Sequence, residues 1–160
     1  MRIHALLGLA VLLVACVGDG RLAQQRQQAA DALDRWAVAA GMAGDGEITV
    51  QPPPWDPYDP PVGLAVESVE VGADDRHLVA TFTGSPNPAS EPCGIDYTGE
   101  AVESDLAVVV IIVEHRRPLP ETCTSLGATR TATISLTAPL GERAVLDVQQ
   151  GLPVEVVRPS

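Results

Sequence analysis

Residues 106–113 read Leu-Ala-Val-Val-Val-Ile-Ile-Val, an unbroken apolar run rich in β-branched side chains. A run this short predicts a strand rather than a helix, covered on both faces and therefore central in its sheet. The segment 129–138 shows the opposite pattern. Thr129, Thr131, Thr133, Ser135 and Thr137 alternate with Ala132, Ile134 and Leu136, which predicts one buried and one wet face. Further short runs fall at 64–71 and 77–83 around Gly72-Ala73-Asp74-Asp75, and at 95–102 and 106–114 around Ser104-Asp105. Others follow at 144–148, after Pro139-Leu140-Gly141-Glu142, and at 153–157. About seven strands punctuated by turn residues predict a mainly β fold, a small antiparallel β-sandwich or rolled sheet with one N-terminal helix.

The helix is expected over 21–40, where Leu22, Ala29, Leu33, Trp36 and Ala40 recur at helical spacing and form one narrow apolar stripe. Asp19 suits its cap and Gly41 its stop. The stripe predicts a docking face for the β domain or part of a membrane-proximal stalk, with Trp36 as the largest anchor. Beyond a loop at 41–46, the segment 51–62 carries Pro52, Pro53, Pro54, Pro57, Pro60 and Pro61. Proline fixes φ and removes a donor, so this segment should run extended, as polyproline II or along an edge.

The N-terminal pattern differs again. Arg2 precedes an apolar stretch over 5–14, and Leu13-Val14-Ala15-Cys16 resembles the lipobox of bacterial lipoprotein signal peptides. A bilayer-spanning helix needs about 20 predominantly apolar residues, whereas Gly18-Asp19-Gly20 interrupts this run early. The resemblance implies a signal peptide at 1–15 and a diacylglycerol thioether on Cys16, with further acylation by a chain such as palmitate. It implies a lipid-anchored protein on the extracytoplasmic face of the cell membrane; an ordinary secretory peptide is the alternative. Residues 16–47 then form the lipidated N-terminus, spacer and helix, and 48–160 the β domain. Each buried methylene contributes about 0.8 kcal/mol, so two or three acyl chains anchor without help from basic residues.

Charge sharpens the picture by exclusion. All ten basic residues are arginine, against 21 Asp plus Glu, for a net charge of −11. Such a surface repels phosphate backbones, so no nucleic-acid partner is expected. The lack of lysine excludes a Schiff-base amine, a Ser-Lys dyad and a Walker-type phosphate loop. The chain has three cysteines. With Cys16 acylated, Cys93 and Cys123 remain as an even pair in an oxidising compartment, where a disulfide is the default. A bridge across that separation would contribute roughly 3–4 kcal/mol in the chain-entropy model. The hairpin turning at Ser104-Asp105 sets Cys93 near residue 116, and Pro118 and Pro120 can fold the next loop back to bring Cys123 within reach. A metal pair with His77 or His115 is the alternative, unsupported by any Cys-x-x-Cys or His-x-x-x-His spacing. No cofactor is expected.

The stretch Cys93-Gly94-Ile95-Asp96-Tyr97, then Val102-Glu103-Ser104-Asp105, Glu114-His115-Arg116-Arg117-Pro118, Cys123 and Pro139-Leu140-Gly141-Glu142-Arg143 resembles a group of small secreted proteins and lipoproteins of actinobacteria, over residues 93–157. That resemblance implies an extracytoplasmic, disulfide-bearing β domain and carries no catalytic residue with it.

Three constellations are candidates for chemistry. Trp55-Asp56-Pro57-Tyr58-Asp59 sets two aromatics and two carboxylates on a stiff backbone, suited to stacking a sugar ring and accepting its hydroxyls, or to meeting an envelope protein. Alternatively, Trp55 and Tyr58 pin the segment onto the domain. Glu114-His115-Arg116-Arg117 offers a general base beside two cations; a small hydrolase-like enzyme would use His115 with Asp96 or Glu121. The competing reading ends the strand in water, with both arginines paired to surface carboxylates. Asp74-Asp75 suits a turn, and Asp96 is expected to be partly buried and to accept from Arg116 or Arg117. No Gly-x-Ser-x-Gly elbow or His-Glu-x-x-His pair occurs. The reading that follows is non-enzymatic binding or interaction at the cell envelope. A hydrolase-like enzyme, or an accessory subunit of an envelope complex contacting its partner through the Trp36 stripe, stands as the alternative.

Overall fold

A computed structural model describes residues 19–116, 123 and 126–158. Cys16 with its lipobox, Arg117 and Glu121 lie outside the described residues. The helix α1 (Asp19–Ala43) precedes seven strands: β1 (Val66–Val71), β2 (His77–Gly84), β3 (Asp96–Glu103), β4 (Ala107–His115), β5 (Ala128–Ser135), β6 (Ala144–Asp147) and β7 (Glu155–Val157). They form two sheets, ordered β5-β2-β1-β7 and β3-β4-β6.

The central position expected for the apolar run is the one β4 occupies. Ala107 through Ile112 are fully buried, and the two faces of the strand enter different cores. Val108, Val110 and Ile112 face Val69, Leu78, Phe82 and Ile134 of the four-stranded sheet. Ala107, Val109 and Ile111 face Ala29, Ala32, Leu33 and Trp36 of α1. Each such Val or Ile side chain contributes about 1.5–3 kcal/mol by leaving water. The molecule is therefore layered as sheet, sheet and helix, with β4 in the middle. Strand β5 keeps its alternation: Ala132 and Ile134 are buried while Thr131, Thr133 and Ser135 face solvent.

Helix α1 begins earlier and ends later than the apolar stripe alone indicates. Asp19, expected as a cap, is its first residue. The stop is Gly44, whose φ of 55° takes the left-handed conformation that closes a helix; Gly41 stays within the helix. Trp36 is only 6% exposed, so the stripe is a docking face onto β4. Ala29, Ala32, Leu33 and Trp36 are covered within the fold. Ion pairs from Arg26 to Glu100 at 2.7 Å and from Arg21 to Glu114 at 3.2 Å flank the dock.

Both sheets are mixed, which corrects the all-antiparallel expectation. The β1–β2, β2–β5 and β3–β4 pairs are antiparallel, but β7 lies parallel to β1 and β6 parallel to β4. After β5 the chain crosses to the other sheet and enters its edge in the direction of β4, then crosses back for β7. Alternation of side chains reports burial and says nothing about direction. The β3–β4 turn also differs: Glu103 pairs with Val108 and the connection runs through Ser104, Asp105 and Leu106 rather than Ser104-Asp105 alone, and Asp96 faces His115. Cys93 and Cys123 form the disulfide, with Cα atoms 5.6 Å apart.

Candidate functional site

Helix α1 has a second face. Gln24, Gln28, Asp31 and Arg35 follow at steps of four, three and four residues, with Gln27 beside them; such spacing sets them along one side of a helix. Opposite lies the proline segment 51–62, whose prolines leave few backbone donors for a sheet. Gln28 fastens it. The Gln28 Oε1 accepts from the Val62 N–H at 3.1 Å, and its Nε2 donates to the Val62 carbonyl at 3.2 Å and to the Val148 carbonyl. One amide thus ties together the helix, the proline strap and the turn after β6.

Between helix and strap runs an open groove of about 790 Å³. One wall carries Gln24, Gln27, Asp31 and Arg35, the other Trp55, Asp56 and Asp59, and Gln149 and Gln150 line it as well. From Gln24 to Arg35 the helix wall is about 16 Å long, at ~1.5 Å per residue. The glutamine pair belongs to a turn organised by Asp147. That carboxylate is buried and accepts from the N–H groups of Gln150 and Leu152, each at 3.3 Å. Burial pushes the Asp147 carboxyl above the usual carboxylate range, although these backbone N–H groups oppose the shift.

Trp55 is 73% exposed and Tyr58 96%, so neither pins the strap to the domain; Gln28 does that. Of the four strap residues singled out in the sequence, Trp55, Asp56 and Asp59 line the groove, and Tyr58 does not. Asp56 also shapes the strap, its Oδ1 accepting from the Tyr58 N–H at 2.8 Å. The helix and turn residues escaped notice in the sequence. Their only signal was the polar repeat along 24, 28, 31 and 35, which looks the same as any solvated helix face.

Arg35 stands apart. Among the described arginines it alone makes neither a hydrogen bond nor an ion pair, and its Nε is buried without a partner. An unsatisfied buried donor costs about 1–3 kcal/mol. Asp31, one turn earlier, accepts instead from Gln27 Nε2 at 2.9 Å.

The other constellations separate. His115 is exposed at the end of β4, with its Nε2 2.7 Å from Thr98 Oγ1. Asp96 is exposed and accepts from the Ala89 N–H at 3.1 Å, while Arg116 binds Glu114 at 2.7 Å. The expected Asp96–Arg116 contact is therefore replaced by local partners on either side, and His115 gains a hydroxyl rather than the Asp96 carboxylate. Asp74 takes the turn role expected of it, accepting from the N–H groups of Arg76 and His77 at 3.1 Å each. Those bonds, with the His77 imidazole on its other oxygen, lower its pKa to about 2. Among the described residues no three His, Cys, Asp or Glu side chains converge as metal ligands, and no helix is long and apolar enough to cross a membrane.

Comparison with models of protein families, with curated proteins and with solved structures finds no match to this chain.

Proposed function

We propose that this chain is a saccharide-binding protein of the cell envelope, held on the extracytoplasmic face of the membrane by lipid on Cys16 and related to the actinobacterial lipoproteins its sequence resembles. One observation carries the binding reading: the Trp55 indole, 73% exposed, stands on the wall of a groove otherwise walled by prolines, amides, carboxylates and the Arg35 guanidinium. An indole face held open to water beside such polar groups is free to take a partner. Pyranose C–H faces stack on such rings, and the ring hydroxyls need the donors and acceptors that glutamine and aspartate supply. Backbone rigidity in the strap keeps the indole in place, which lowers the entropy lost on binding. The role proposed is binding rather than turnover; hydrolysis of a bound glycan through carboxylates such as Asp31, Asp56 and Asp59 on the groove wall would overturn it.

Titration calorimetry with envelope glycan fragments tests the groove. Binding should be lost on Trp55→Ala and weakened little on Tyr58→Ala; unchanged affinity in Trp55→Ala would refute the site. Location is tested separately, by mass spectrometry of the mature N-terminus and by fractionation of a Cys16→Ser variant. Acylation of Cys16, and release of that variant from membranes, are the expected results.

A further inference from the structure

We infer that the saccharide bears a carboxylate, and that Arg35 is the residue that reads it. This rests on the groove being a glycan site and adds the chemical class of its ligand. The chain has 21 carboxylates for ten arginines, so an arginine finds an acidic neighbour easily. The other described arginines all have partners: Arg21 and Arg116 share Glu114, Arg26 takes Glu100, Arg143 takes Glu103 and Arg158 takes Asp75. Arg76 and Arg130 donate to the carbonyls of Thr137 and Pro86. Arg35, on the wall of the groove, has none.

Its position is also fixed. Gly151 lies directly against the guanidinium: a Cβ there would stand 2.7 Å from Arg35 Nη2 and 2.9 Å from the Ala32 Cβ. At a φ of 68°, Gly151 also holds a conformation that disfavours other residues. The turn after β6 thus leaves room for the arginine head, which is seated rather than swinging in solvent. A planar guanidinium with free N–H groups matches a carboxylate with two parallel bonds. Phosphate fits less well: Asp31, Asp56 and Asp59 line the same groove and repel any anion, and a dianion meets about twice the repulsion a single carboxylate does. With a carboxylated sugar, Trp55 takes the ring face, the amides and aspartates take hydroxyls, and Arg35 takes the acid.

Calorimetry on the full domain at low salt tests this with three probes: N-acetylglucosamine, N-acetylmuramic acid (the same ring carrying a lactyl carboxylate) and an N-acetylglucosamine phosphate ester. The wild type should bind the carboxylated sugar at least about tenfold more tightly than the neutral one, the range expected for a charge-assisted pair. Added salt should erode that preference. Arg35→Gln should abolish it, the carboxylated sugar losing at least about tenfold more affinity than the neutral one; Arg35→Lys should keep only part. Melting curves establish that each variant is folded, and the wild-type preference and its salt dependence stand without them. Neutral binding with no acid preference, or a preference that survives in Arg35→Gln, overturns the assignment of Arg35 and leaves the glycan site intact. Tighter binding of the phosphate ester overturns the carboxylate. Absence of binding by all three probes, in oligosaccharide form as well, overturns both readings.

Discussion

The two tryptophans of this chain mark two kinds of region. Trp36 is 6% exposed, wedged with Ala29, Ala32 and Leu33 against β4, whereas Trp55 is 73% exposed on a strap without regular structure. The first is placed by removal of apolar area from water, an effect that needs no particular partner chemistry. The second is placed by covalent stiffness and a single amide clamp at Gln28, with its apolar face left in solvent. A residue of the first kind makes the fold; one of the second kind contributes little to it and stays open to a partner. The groove lies where the two regions meet, on the polar side of the helix whose apolar side holds Trp36.

Substitutions should separate the two regimes. Trp36→Ala opens a cavity between α1 and β4 and should cost about 3–5 kcal/mol, read as a lower denaturation midpoint with an unchanged m-value; a cost under about 1 kcal/mol would mean that the helix is only loosely docked. Asp147 occupies the boundary, a buried acid that builds the groove turn. Asp147→Ala leaves its backbone donors unanswered and should cost about 1–3 kcal/mol, while Asp147→Asn keeps an acceptor without burying a charge.

The pH dependence of that pair has a definite sign. The folded-state pKa of Asp147 is raised, so the native state holds the proton more tightly than the unfolded chain, whose carboxyl titrates near ~3.9. The stabilisation this gives is complete below that value and disappears as pH rises through the folded pKa. Asparagine does not titrate. Asp147→Asn should therefore gain on the wild type as pH climbs above about 4, and parallel stability–pH curves would contradict a raised Asp147.

The smallest stability effect is expected at the other tryptophan. Trp55→Ala should leave stability within about 0.5 kcal/mol, as for surface sites without structural partners, while removing saccharide binding; thermal denaturation and calorimetry read the two quantities independently. A large loss of stability would reassign Trp55 to the fold.

How much of this was legible in the sequence follows the same division. The β4 run announced burial on both faces because apolar residues, β-branched from Val108 to Val113, follow one another without a polar break, and the threonine alternation of β5 announced one wet face. Both are local records of how much water a strand meets. Helix α1 was legible for the same reason, through its Leu22-to-Trp36 stripe. The parallel β6 and β7 pairings were not, because strand direction in a non-sequential pair is set by crossovers that leave no periodicity behind. The groove was half legible. Trp55, Asp56 and Asp59 stood out as exposed chemistry on a stiff segment, but their helical counterparts gave no such sign. Gln28, Arg35 and Gln149 become a site only once Val62 is clamped against the helix and Asp147 folds the turn beneath. Asp96 with Arg116 failed as a pair because each found a nearer partner.

Tryptophan fluorescence during a saccharide titration tests the central claim most directly, since the chain has two tryptophans in opposite environments. Trp36 should emit as a buried indole and remain silent, while the solvent-exposed emission of Trp55 should shift to the blue and saturate as the sugar ring covers it. A saturable shift that vanishes in Trp55→Phe agrees with the account. Calorimetric binding with no change in the exposed emission, or a shift that persists in Trp55→Phe, contradicts it.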